Sequence, residues 1–180
     1  MDASRRIGLA AFVGFMACVP LANWMIGHVG TVCAPAGPCL VPVAPGVLAP
    51  SGVLTVGLAL VLRDIVQRCL GTRWGLLAIA LGTGFSILVA GPSLVVASGA
   101  AFLFSELADF AVYTPLQRRG LVRAVLASSA TGLVVDSIVF LSLAFGSLAF
   151  LPGQIIGKAW AVLLSIPLVR VVRRLTPTPA

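Results

Sequence analysis

The feature that most narrows the choice of fold is a series of six apolar runs, each about as long as a membrane-crossing helix. They cover approximately Ile7 to Ile26, Pro50 to Leu70, Trp74 to Ala90, Ser93 to Tyr113, Leu121 to Phe145 and Pro152 to Val172. A helix needs roughly 20 apolar residues to cross about 30 Å of hydrocarbon. Only 9% of the 180 residues are charged and 59% are hydrophobic, whereas soluble domains carry about 25% charged residues. A water-soluble fold could not bury that much apolar surface, and disordered chains are polar instead. The sequence therefore predicts an all-α membrane protein, one integral domain over residues 1–180 built as a bundle of six transmembrane helices. Little chain remains outside the bundle, so function is expected within it or at its rims. The first run is longer than a usual signal-peptide core and no small-x-small site closes it, so it reads as a retained helix.

The formal charge of +7 would suggest nucleic acid in a soluble protein. Here no nucleic-acid partner is expected, because membrane topology accounts for the basic residues. Arg5 and Arg6 precede the first run, Arg63, Arg68 and Arg73 stand at the junction of the second and third, Arg118, Arg119 and Arg123 between the fourth and fifth, and Arg170, Arg173 and Arg174 at the end of the sixth. The other three connections hold no Lys or Arg. Cytoplasmic loops are the ones that retain these residues. The alternation predicts a multi-pass protein of the cytoplasmic (inner) membrane with both termini cytoplasmic.

The connection from Gly27 to Ala49 is then external. Pro35, Pro38, Pro42 and Pro45 break it too often for a simple helix. It is expected to be either an ordinary external loop or a segment that re-enters the membrane, which non-helical backbone can do only where protein or a watery cavity shields it. Cys33 and Cys39 share this segment and could form a disulfide if that side is oxidising. Cys18 and Cys69 fall on helices and read as inert packing residues. The tail Thr-Pro-Thr-Pro-Ala reads as disordered.

Charges that topology leaves unexplained point to function. Of the five acids, Glu106, Asp109 and Asp136 lie inside expected spans and Asp64 lies near the inner end of the second. A carboxylate there costs at least ~2.5–3.5 kcal/mol on the insertion scale, and such groups usually pair or line a pathway. Glu106 and Asp109 are three residues apart and share a helix face, which Phe102 and Tyr113 extend. Asp136 falls mid-helix. Lys158 follows Gln154 by one turn, and Gly153 and Gly157 beside them offer a small-x-x-x-small surface for close packing. Asn23 sits toward the outer end of the first helix. A purely structural account pairs Lys158 with an acid and Asp109 with Arg118 or Arg119. Three carboxylates against one deeply placed lysine do not balance, however. The alternative is a polar cavity near the midplane, where carboxylates accept hydrogen bonds and Gln or Asn do both. No His-Glu-x-x-His motif, Gly-x-Ser-x-Gly elbow or phosphate-cradling glycine loop appears. No enzymatic activity, metal or cofactor is therefore expected.

Three stretches in this order resemble the vitamin uptake transporter family, also called queuosine precursor transporters. They are Ser105-Glu-Leu-Ala-Asp-Phe-Ala-Val-Tyr-Thr-Pro-Leu, the pair Val122-Arg-Ala-Val-Leu-Ala-Ser-Ser and Asp136-Ser-Ile-Val-Phe, and Gly153-Gln-Ile-Ile-Gly-Lys. The resemblance is best from Pro50 to Pro167. It departs at the end of the second helix, where the family often carries Thr-Asp-Ile-x-x-Glu-x-Tyr-Gly and this chain reads Arg63-Asp-Ile-Val-Gln-Arg-Cys-Leu-Gly. That departure leaves Asp64 little role beyond pairing with a nearby arginine.

The resemblance implies uptake of 7-deazaguanine precursors of queuosine, in cyano or aminomethyl form. Glu106, Asp109 and Asp136 would accept the guanine-like edge or an aminomethyl cation, Gln154, Lys158 and Asn23 would add polar contacts, and Phe102, Tyr113 or Phe140 would stack on the base. Two other readings stand beside it. One is a substrate-binding membrane subunit that needs a separate energising ATPase. The other is a non-transporting scaffold. Membrane lipid, and in some readings a second copy of the chain, would be the remaining partners.

Overall fold

The computed structural model describes residues 2–33, 37–92 and 94–176. Pro35, the expected fourth-helix start at Ser93 and the tail beyond Thr176 lie outside the described residues. Seven α-helices and three short strands follow in the order α1 (Ala3–His28), β1 (Val32–Cys33), β2 (Cys39–Ala44), β3 (Val47–Pro50), α2 (Val53–Leu70), α3 (Thr72–Val89), α4 (Val95–Leu116), α5 (Leu121–Phe145), α6 (Leu151–Leu164) and α7 (Ile166–Leu175). A single 3-10 turn at Gln117–Arg119 separates α4 from α5. The last expected span is thus broken in two at Ser165. Pro167 lacks the N–H that would continue the α6 ladder, and its ring would clash with the preceding turn. Ser165 caps the break by donating its hydroxyl to the Ala161 carbonyl at 2.7 Å.

Among the described residues, five segments are long and apolar enough to cross a membrane: α1, α3, α4 with its 3-10 turn, α5, and α6 with α7. Their outer faces leave large apolar side chains exposed, among them Val13, Leu88, Val96, Phe104 and Leu164. Such a belt suits a lipid solvent, and the chain is a multi-pass membrane protein. α2 is as long as α3 but carries Arg63, Asp64 and Arg68, all buried. It touches each of the other six α-helices. A helix with three buried charged side chains therefore sits at the bundle centre, where neighbouring helices shield its charges from lipid.

Among its described residues, the Gly27–Ala49 connection carries regular secondary structure. It forms a small antiparallel sheet in the order β1-β2-β3. Pro45 and Gly46 (φ +70°) turn β2 back onto β3. Proline at the first central position of a turn and a glycine of positive φ at the second are what such a reversal needs. Pro42 has no N–H for the ladder, and the register is irregular between Pro42 and Ala44. A Cys33–Cys39 disulfide pins β1 to β2. The sheet is tied to the bundle on two sides. Ser51 donates its hydroxyl to the Met25 carbonyl of α1 at 2.6 Å, and Trp160 Nε1 of α6 donates to the Val43 carbonyl at 3.1 Å.

Glycines allow the closest helix approaches. A Cβ on Gly57 of α2 would meet the Lys158 carbonyl oxygen of α6 at 2.6 Å. One on Gly157 would meet Val43 Cγ1 at 3.1 Å, and one on Gly153 would meet Ala49 Cβ at 3.1 Å. The small-residue surface expected of α6 is therefore used, partly against α2 and partly against the sheet.

Candidate functional site

The bundle interior holds two polar centres, one above the other along α2. The first is built on Arg63. This residue is two turns from the end of α2 and fully buried, with no exposed surface. Its placement corrects the expectation that it belongs to the basic junction of α2 and α3. A helix that starts at Val53 puts position 63 mid-span, on the same inward side as Leu60 and Gln67. Arg63 Nε donates to Glu106 Oε2 at 3.1 Å, Nη2 pairs with Asp109 Oδ1, and Nη1 donates to Gln67 Oε1 at 3.0 Å. Nη1 also lies 2.9 Å from Asp64 Oδ1. The guanidinium stands 5.7 Å from the Phe110 ring centre and 5.6 Å from that of Tyr113, within cation–π range. Arginine suits this role because its planar fork can serve several acceptors at once.

The expected shared face of Glu106 and Asp109 exists, and it faces Arg63. Asp109 does not pair with Arg118 or Arg119, both of which are exposed on the rim. Asp64 pairs with its neighbouring arginine as expected and also accepts a hydrogen bond from Ser128 of α5 at 2.8 Å. Below Arg63, Gln67 Nε2 donates to Thr114 Oγ1 at 3.0 Å. Arg68, also buried, donates to Thr176 Oγ1 at 2.9 Å and to its carbonyl at 3.2 Å.

The second centre is the Lys158–Asp136 pair. Lys158 Nζ is 2.5 Å from Asp136 Oδ2 and 2.9 Å from Ser137 Oγ. This matches the buried pair that a structural account expected for Lys158. The charge count differs from that expectation because Arg63 and Arg68 are buried cations as well.

Above Arg63 a cavity opens among α1, α2, α3, α4, α5 and α6. Its volume is about 80 Å³, smaller than the usual small-molecule site. Of the residues singled out in the sequence, Asn23, Phe102, Glu106, Asp136, Phe140 and Gln154 line it. Asp109, Tyr113 and Lys158 do not. Asp109 and Tyr113 belong to the Arg63 cluster, and Lys158 holds Asp136 from behind. Gln154 is 3% exposed, and its Oε1 has no hydrogen-bond partner. Asn23 spends its Nδ2 on the Val19 carbonyl at 3.0 Å. Phe102 leans on Phe15, with ring centres 5.7 Å apart, and Phe140 meets Phe145 edge to face. Hydroxyls of Ser86, Ser98 and Ser105 add polar points to an otherwise apolar wall.

Sequence reasoning missed Arg63, Ser128 and Ser137 as members of these centres. The imbalance of three acids against one lysine was the signal for a second buried cation. Chemically, the cavity lining combines acceptors with aromatic rings. Among the described residues, no cluster of three His, Cys, Asp or Glu side chains is arranged to hold a metal.

No curated protein and no solved structure matches this chain. Residues 86–180, just over half of the chain, match the family described as "Putative vitamin uptake transporter". The matched segment runs from the end of α3 through α7 and carries Glu106, Asp109, Asp136, Gln154 and Lys158. The chain belongs to the vitamin uptake transporter family.

Proposed function

We propose that this chain imports a queuosine precursor of the 7-deazaguanine type across the cytoplasmic membrane, through six spans with both termini inside. α2 acts as the sixth span, its charges hidden by its neighbours. The observation that carries the reading is a cavity lined by Glu106, Asp136 and Gln154, whose Oε1 has no hydrogen-bond partner, together with Phe102 and Phe140. A guanine-like edge presents a ring N–H beside an amine, and one carboxylate can accept both. An aminomethyl arm would bring a cation to the second carboxylate. Aromatic walls suit a flat base. With every group ionised, the two centres hold two cations against Asp64, Glu106, Asp109 and Asp136, so the interior favours a positively charged or donor-rich solute over an anion.

The test is uptake of labelled cyano and aminomethyl deazaguanines by cells that lack their own route. Expression of the chain should confer uptake, and Glu106→Gln should abolish it while leaving the protein folded. Purified protein alone in liposomes should also carry the solute. Binding without flux would support the reading that a separate ATPase energises it. Absence of binding by folded protein would overturn the solute reading in favour of a scaffold.

A further inference from the structure

The Arg63 cluster holds more acid than its single guanidinium can balance. Asp64, Glu106 and Asp109 all lie against that one group, with at most 2% of any of them exposed. Among the described residues, no other buried cation pairs with these acids. Lys158 of α6 is committed to Asp136 of α5, and Arg68 of α2 is turned to Thr176. α1, α3 and α7 keep their arginines exposed at their ends. From α5 the cluster receives the Ser128 hydroxyl, an uncharged donor, and from α4 only the Tyr113 ring, whose hydroxyl has no hydrogen-bond partner. Full ionisation would therefore set three negative charges against one positive charge in the membrane interior, where unpaired charge is strongly disfavoured.

Two buried oxygens in the cluster, Asp64 Oδ1 and Asp109 Oδ2, accept no hydrogen bond, although Asp64 Oδ1 stands at ion-pair distance, 2.9 Å, from Arg63 Nη1. Their carboxylates sit on the two Nη nitrogens of the same guanidinium. Two carboxylates held by one fork can share a proton, with one acid donating to the other's oxygen.

The cluster also occupies a particular place. Glu106, bonded to Arg63 Nε, lines the cavity above. Gln67, bonded to Arg63 Nη1, lines a separate cleft below together with Arg68, Thr114 and Gln117. Arg63 is thus the partition between two openings.

We propose that Asp64 and Asp109 form a proton-binding site, separate from the solute cavity, whose occupancy sets how firmly Arg63 holds Glu106. With the proton bound, Asp64 and Asp109 compete less for the guanidinium, and Glu106 is held. When the proton leaves to water in the lower cleft, Arg63 is drawn to the aspartate pair and Glu106 is freed toward the cavity. A cationic solute on Glu106 would in turn expel the proton by repulsion. This coupling rests on the transport reading, whereas the proton site itself does not.

Infrared difference spectra between acid and alkaline pH test the site, using full-length protein in vesicles of phosphatidylethanolamine and phosphatidylglycerol. Wild type should give a titrating carboxylic-acid C=O band. Asp64→Asn and Asp109→Asn should each remove it, while Glu106→Gln and Asp136→Asn keep it. Ser128→Ala, which leaves both acids in place, should retain the band and shift its midpoint. No band in wild type, a band that survives both Asn variants, or an unmoved midpoint in Ser128→Ala would overturn the site. Adding aminomethyl-deazaguanine to weakly buffered vesicles should release protons from wild type and none from Asp109→Asn. A band without any solute binding would sink the transport reading alone. Solute flux without a band would sink the proton site alone.

Discussion

Two buried ion clusters lie a few turns apart in this bundle, and they are composed differently. At Lys158 one cation meets one acid, and the Ser137 hydroxyl is also within hydrogen-bond distance of its ammonium. At Arg63 one cation meets three acids, two of whose oxygens have no hydrogen-bond partner. The first is closed on itself and borders the cavity through Asp136, whose side chain is 12% exposed. The second is sealed but unbalanced, and it reaches the cavity above and the cleft below through Glu106 and Gln67. A matched pair can be understood as structure alone. A mismatched cluster keeps its cost unless it does something with the excess charge.

The sharpest way to break this contrast is to remove each cation in turn. Arg63→Met strands three acids, so the loss of stability should be at least the about 3–5 kcal/mol typical of a broken buried pair. Thermal unfolding in detergent reads it. Lys158→Met strands one acid that already borders the cavity, so its cost should be smaller, about 3 kcal/mol or less. Adding Asp136→Asn should recover most of that loss, which a double-mutant cycle measures. If the Lys158 variant proves the more damaging, or if Asp136→Asn brings no recovery, the contrast is wrong.

Packing around the unbalanced cluster gives the next test. A Cβ on Gly132 of α5 would meet Leu60 Cδ2 at 2.9 Å and Asp109 Cβ at 3.1 Å. Gly132→Ala should therefore destabilise by about 1–3 kcal/mol and weaken uptake, whereas Gly84→Ala, with open space around it, should do neither. The smallest effect is expected at Gln154. Gln154→Leu removes the orphan acceptor that borders the cavity. Solute affinity should fall about tenfold, equivalent to about 1.4 kcal/mol, with stability unchanged or slightly improved because an unpaired buried group is gone. Equal affinity in wild type and variant would remove Gln154 from the site.

The helical membrane architecture was legible because hydrophobic length is written directly in the chain. Each of the six apolar runs contains a helix, with ends displaced by a few residues. The sheet was not legible, because its prolines read as obstacles to helix rather than as the Pro45-Gly46 reversal of a hairpin. Arg63 was misread because a basic residue near a basic junction looks like topology. Its depth in α2, two turns before the helix ends, distinguishes it from Arg73 at the exposed start of α3. Glu106, Asp136, Gln154, Phe102, Phe140 and Asn23 were found as cavity-lining groups because polar and aromatic residues inside apolar helices have few other places to go. Asp109 and Tyr113 were drawn from the same face. Yet a helix face is wide enough to serve both a cavity and the ion cluster below it, and spacing alone does not divide the two.

The seam between the small sheet and α6 has a mechanical consequence. Trp160 grips the Val43 carbonyl, and Gly153 and Gly157 let β2 and β3 settle onto the helix backbone. The strands and α6 are therefore geared together. A tilt of α6 that carried Gln154 and Lys158 away from α5 would swing the sheet with it, and a binding protein clamped on the sheet would act as a brake on the helix wall.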